Sequence, residues 1–196
     1  MKRTALALML LALVVSCNTE PKTAVQKKVD SYALVKIESP DLSGITDNGK
    51  EVLNLYKFAA DQADSIYWKQ CFGDKMLVEN LKDADLKEYA KINYGPWDRL
   101  DGKAFIDGFG AESPLGANFY PKDMTTAEFE SMDDPVKTSP YSLIRRGADG
   151  RLTSVWYHDA FEYNIDKICN YLKAAADITI KPSVRNYLLK KIDALK

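Results

Sequence analysis

Apolar side chains at Val52, Leu55, Ala59, Ala63 and Ile66 recur at steps of three and four, the spacing that places them on one face of an α-helix. Asn48-Gly49-Lys50-Glu51 opens the run with a cap-like residue followed three positions later by glutamate, which predicts a helix start there. The far end, Ile66-Tyr67-Trp68-Lys69-Gln70-Cys71-Phe72, is rich in rings and stops at Gly73-Asp74, where glycine permits a left-handed cap. Residues Lys75 to Ile92 again read as helix, with Leu77, Leu81, Leu86 and Tyr89 apolar between charged positions. A second strong helix from Asp159 carries Phe161, Ile165, Ile168, Leu172 and Ala175 at helical spacing. Pro182 suits the first turn of a last helix bearing Val184, Leu188, Ile192 and Leu195, whose stripe runs to the final residues without a capping signal, as if the element continued.

Between these helices the texture changes. From Asn93 to Pro121 the chain carries Gly95, Pro96, Gly102, Gly108, Gly110, Pro114 and Gly116, too many breakers for a helix, yet it also holds Tyr94, Trp97, Phe105, Phe109, Phe119 and Tyr120. Rings in a glycine-rich stretch predict an ordered loop packed on a core, a kind of segment that often carries function. Thr125-Thr126-Ala127-Glu128 has capping-box spacing and opens a short helix that Asp133-Asp134-Pro135 breaks. Tyr141 to Arg145 and Leu152 to Tyr157 are β-prone runs flanking Gly147-Ala148-Asp149-Gly150, a hairpin signal. With no repeat at solenoid periods, residues 44–196 read as one α+β unit, predominantly α-helical with a small β-hairpin.

The N-terminus obeys another logic. Lys2 and Arg3 precede an apolar run from Ala5 to Val15, shorter than the roughly 20 residues of a membrane span, so residues 1–16 read as a signal peptide. Val14-Val15-Ser16-Cys17 resembles the pattern in which a lipoprotein signal peptidase cuts ahead of the cysteine, making Cys17 the lipidated N-terminus; an ordinary cleaved signal is the alternative. Residues 17–43 are polar and suit a tether, and the expected location is outside the cytoplasm, anchored by lipid to a bacterial membrane on its periplasmic or outer surface. Removing residues 1–16 leaves 25 basic against 28 acidic side chains with no polybasic patch, which argues against a nucleic-acid partner. Cys71 and Cys169 either form one disulfide or act as small buried hydrophobes, the second being preferred.

Candidate chemistry is sparse. With one histidine and three cysteines in the chain, a self-contained zinc site is not expected, since such sites usually take about three or four His, Cys or carboxylate ligands. His158 and Glu162 would share a helix face, but they supply at most two ligands and do not form H-E-x-x-H. No nucleophile elbow, Walker lysine or complete dinucleotide fingerprint occurs. The segment NYGPWDRL is the most distinctive: Tyr94, Trp97, Asp98 and Arg99 offer aromatic faces, an acceptor and a fork of donors fit to line a peptide cleft. The competing reading is a structural knot, with Trp97 in the core and Asp98 paired with Arg99 or capping a turn.

In order along the chain, the helix ending DSIYWKQCFGDK, the segments INYGPWDRLDG and GANFYPKDMTTAEFE, and SPYSLIRRGADGRL with the adjoining YHDAFEYNIDKICNYLKAAADI resemble the N-terminal portion of a bacterial dipeptidyl peptidase III. That family comprises two-lobed zinc exopeptidases which remove dipeptides from the N-termini of short peptides. The resemblance implies that metal is held by two histidines of an H-E-x-x-G-H helix and a downstream glutamate, with the glutamate of the first motif acting on the zinc-bound water. Neither motif occurs here, so no catalytic or metal residue carries over and no cofactor is expected on this chain alone. Two functional readings are open: the front part of a lipid-anchored zinc dipeptidyl peptidase, inactive by itself and paired with a C-terminal part, or a non-catalytic peptide-binding lipoprotein. Short peptides are the expected ligands under both.

Overall fold

The computed structural model describes residues 22–33, 35 and 40–196, so the signal sequence and Cys17 lie outside the described residues. Along the chain run α1 (Ala24–Ser31), α2 (Asp47–Cys71), α3 (Lys75–Glu79), α4 (Ala84–Asn93), α5 (Thr126–Ser131), β1 (Ser142–Arg146), β2 (Leu152–Trp156), α6 (Tyr157–Ala160), α7 (Glu162–Ile178) and α8 (Pro182–Asp193). This is the α+β, predominantly helical architecture with one hairpin that the hydrophobic pattern predicts.

Two hydrophobic cores organise it, and the 25-residue α2 passes through both. In the first, Val52 and Ala59 of α2 pack with Ile165, Ile168 and Leu172 of α7, with Leu188 of α8 and Leu143 of β1 closing the cluster. The forecast apolar positions Ile165, Ile168, Leu172 and Ala175 of α7, and Phe161 just before it, are all buried, and Asn164 is the one polar side chain buried with them on this helix. The second core gathers Trp68 from the last turns of α2, Val78 of α3 and Ala90 of α4, with Phe72, Tyr94 and Phe105 against them.

Several boundaries differ from the forecast. Thr46, not Asn48, caps α2, its hydroxyl accepting from Gly49 N–H at 3.1 Å. Asn48 instead reaches across the fold: its amide donates to Ile178 C=O at 2.7 Å and accepts from Ile180 N–H at 3.2 Å, joining the start of α2 to the α7–α8 junction. On α2, Ala63 is exposed and Gln62 turns partly inward to accept from the buried Asn164 at 3.0 Å. The stretch from Lys75 to Ile92 is two helices, separated because the Asp83 carboxylate caps Asp85 and Leu86 N–H and starts α4 afresh. His158 and Glu162 do not share one helix, since Phe161 leaves helical geometry (φ −120°, ψ 24°) between α6 and α7.

The region read as a tether also holds structure. Thr23 and Gln26 form a capping box that starts α1, and α1 packs on α4. No residue of α1 is buried, so side chains at its edge must hold it in place. Cys71 and Cys169 are free thiols; Cys169 is buried in the first core, where desolvation raises its pKa.

β1 and β2 pair antiparallel with Ser142 opposite Trp156 and Arg146 opposite Leu152, around the forecast Gly147–Gly150 turn. Arg146 bonds Glu128 at 3.0 Å and Asp123 at 3.0 Å, fastening α5 and the preceding loop to the hairpin. Among the described residues no helix is long and apolar enough to cross a membrane.

Candidate functional site

The segment after α4 owes its path to an uncommon helix end. Tyr94 adopts the left-handed region at φ 54°, and Gly95 N–H donates to Ala90 C=O at 3.0 Å, closing α4 as a glycine-type cap does. A non-glycine residue there costs about 1 kcal/mol or more. It is held by its surroundings: the Tyr94 ring lies 4.7 Å from Tyr67 and 4.9 Å from Trp68, and its hydroxyl donates to Asp64 at 3.0 Å. Burial, and then the Asp64 carboxylate, push the Tyr94 phenol pKa up. A Cβ at Gly95 would meet the Phe72 side chain at 3.2 Å, a tight contact, on a backbone at φ 156° that L residues rarely adopt.

Asn93 organises the loop beyond this cap. Its buried amide donates to Tyr89 C=O at 2.9 Å and accepts from Arg99 N–H at 2.9 Å, drawing the chain into a loop closed by Trp97 bridging to Ala104. The Trp97 ring packs edge-on against Phe72 at 5.8 Å and Phe109 at 6.2 Å. Asp98 is buried as well. Its carboxylate accepts from Lys28 Nζ at 2.6 Å, Tyr89 Oη at 2.6 Å and Leu100 N–H at 2.9 Å. Burial raises the Asp98 pKa, but the Lys28, Tyr89 and Leu100 donors outweigh it and bring the carboxyl down to about 2.

Arg99 differs from these neighbours because its side chain is exposed. One guanidinium nitrogen donates to Tyr67 Oη at 2.7 Å, and the guanidinium carbon stands 5.7 Å from the Tyr67 ring centre and 6.0 Å from that of Tyr94. The four residues singled out in NYGPWDRL are therefore brought together, and all four border one open cavity of about 250 Å³ that also touches Cys71 and Ser113. Asp98 does not pair with Arg99, since Lys28 occupies it. A larger apolar groove of about 650 Å³ lies between the loop and the hairpin, lined by Phe119, Tyr120, Met124, Phe129 and Ile144.

Sequence reasoning missed Lys28, Tyr67 and Asn93. The Thr23-x-x-Gln26 spacing signals a helix carrying Lys28, but nothing in the sequence links that lysine to a carboxylate 70 residues away.

The donor set does not suit the zinc that the family resemblance implies. His158 is exposed, stacks on Trp156 at 6.2 Å and stands 3.6 Å from Asp159, while Glu162 belongs to the next helix. Among the described residues no group of three or more His, Cys, Asp or Glu is placed to hold a metal ion.

No protein-family model matches the chain. Two solved structures do. DPP III from Caldithrix abyssi is 34% identical, with a TM-score of 0.71 over 80% of this chain and 32% of that one. Dipeptidyl-peptidase III from Corallococcus sp. strain EGB is 25% identical, with a TM-score of 0.76 over 87% of this chain and 34% of that one. A weaker likeness, 24% identity over 90% of this chain and 31% of the relative, joins it to Nudix hydrolase 3 of Arabidopsis thaliana. The chain thus spans about a third of the length of each relative. By sequence and by fold together it is a partial dipeptidyl peptidase III-like chain, as the order of its motifs predicts.

Proposed function

We propose that this chain is the N-terminal part of a lipid-anchored, dipeptidyl peptidase III-like zinc peptidase that removes dipeptides from peptide N-termini, and that it does not catalyse alone. The observation that carries the reading is the match to the Caldithrix abyssi structure, 34% identical over 80% of this chain while covering 32% of that one. In this reading the zinc sits on residues other than these, and the described residues contribute scaffold and a peptide-facing surface around Tyr94, Trp97, Asp98 and Arg99. Trp97 and Asp98 shape that surface from beneath, because the Trp97 ring is packed and the Asp98 carboxylate is packed and hydrogen-bonded; Tyr94 and Arg99 form its rim. The Val14-Val15-Ser16-Cys17 sequence supports anchoring through a lipid on Cys17.

The test is one preparation with three readouts. Protein purified from membranes should carry lipid mass on Cys17, no stoichiometric zinc, and no release of dipeptides from arylamide substrates. Stoichiometric zinc with dipeptide release would overturn the division of labour, and an unlipidated Cys17 would overturn the anchor. Tight peptide binding without turnover would favour the non-catalytic peptide-binding lipoprotein.

A further inference from the structure

Arginine carries five N–H donors in a planar fork that matches a carboxylate in two-point geometry. In this chain Arg99 is held in place before any ligand arrives. Its backbone N–H is fixed on Asn93 at 2.9 Å, one guanidinium nitrogen on Tyr67 Oη at 2.7 Å, and the guanidinium lies against the Tyr67 and Tyr94 rings. Such pinning removes much of the rotamer freedom that an exposed arginine otherwise loses on binding.

The charges around it leave the arginine unneutralised. Asp98 is taken by Lys28 and Tyr89, and Asp64 by Lys75 at 3.1 Å and Tyr94 at 3.0 Å. Among the described residues Arg99 makes no ion pair, and the groups acting on its charge are Tyr67, Cys71 and Tyr94. The adjoining cavity, about 250 Å³ and open to solvent, is smaller than the roughly 300–1,000 Å³ of sites that enclose a drug-sized ligand, so it suits an end group.

We propose that Arg99, clamped by Tyr67 and Tyr94, is a carboxylate-binding subsite that takes a carboxylate of a peptide, either its C-terminal group or an acidic side chain. This rests on the peptidase-like reading and adds to it the chemistry by which this surface holds a peptide. Binding here depends on negative charge and is indifferent to the peptide's N-terminus.

The experiment titrates the purified chain with trialanine, trialaninamide and N-acetyl-trialanine, tracking by NMR the Arg99 Nε–Hε signal and the backbone amides of Gly102 and Ser113, which line the same cavity. Trialanine and its acetylated form should bind equally, and trialaninamide about tenfold more weakly, the loss expected when a charge-assisted hydrogen bond becomes unavailable. N-acetyl-Ala-Glu-Ala-amide separates the two sources: binding as strong as trialanine assigns side-chain carboxylates as ligands too, and weak binding restricts the subsite to the C-terminus. Arg99→Met should abolish the Gly102 and Ser113 shifts, and Tyr67→Phe, which keeps the ring and removes only the hydroxyl, should weaken binding a few-fold with an unchanged melt. Equal binding of acid and amide, or no shift from either at roughly 10 mM, overturns the proposal. The readout involves neither zinc nor turnover. Charge-independent binding beside an active transplant of this chain into a dipeptidyl peptidase III defeats the subsite alone, whereas charge-dependent binding beside a folded, inactive transplant defeats the peptidase reading alone.

Discussion

Asp98 shows how one side chain can serve packing and placement together. Three donors keep it ionised in a buried setting, with its carboxyl at about 2 against the ordinary 3.8. A carboxyl depressed in the folded chain contributes stability that is full above its ordinary pKa and is lost as pH falls from about 4 toward 2. The difference between those two values corresponds to on the order of 2 kcal/mol. Asp98→Asn should therefore melt lower than the parent at pH 7 by about that amount, and the gap should narrow as pH approaches 2. Denaturant melts of both proteins across that range check this; a constant gap would assign the effect to packing instead. The distinctive character of NYGPWDRL is legible in the sequence, as are the two readings open to it. That Asp98 meets Lys28 and not Arg99 is not, because the partner lies 70 residues away in a stretch whose polarity resembles a linker.

At the scale of elements, the long loop is ordered because it closes the end of a helix. Asn118 N–H donates to Gln70 C=O at 3.0 Å and its side-chain amide to Lys69 C=O at 2.9 Å, satisfying carbonyls that the end of α2 leaves open. Asn118→Ala removes one of these bonds. It should cost about 1 kcal/mol and speed amide exchange in the last turn of α2 and in the loop around Asn118, which hydrogen-exchange mass spectrometry would show. Protection of α1 provides a second reading of the Asp98 variant, since α1 buries no residue and its Lys28 loses the ion pair. The strongest periodicities, in α2, α7 and α8, are legible in sequence to within a few residues, as is the hairpin. Caps are less so: Thr46 and Asn48 both have capping side chains, and only the nearness of Ile178 and Ile180 decides that Asn48 bridges while Thr46 caps.

At the scale of the molecule, the apolar stripes of α2 and α8 both pack on α7. Val52, Leu55 and Ile66 join Val184, Leu188 and Ile192 in one cluster. Exposed apolar residues stand off these stripes, including Leu115 in the long loop at 88% and Tyr187 on α8 at 59% exposure. Covered faces are what a self-contained peptide-binding unit requires, so this observation favours the second reading over a lobe with open apolar surfaces. The central claim, that this chain stands in for the matching third of a dipeptidyl peptidase III, is tested most directly by transplanting residues 44–196 into the Caldithrix abyssi protein in place of its matched segment and measuring zinc-dependent dipeptide release. The chimera should fold, bind zinc and release dipeptides; a chimera that folds and binds zinc yet leaves every peptide substrate intact would refute the equivalence of the two segments.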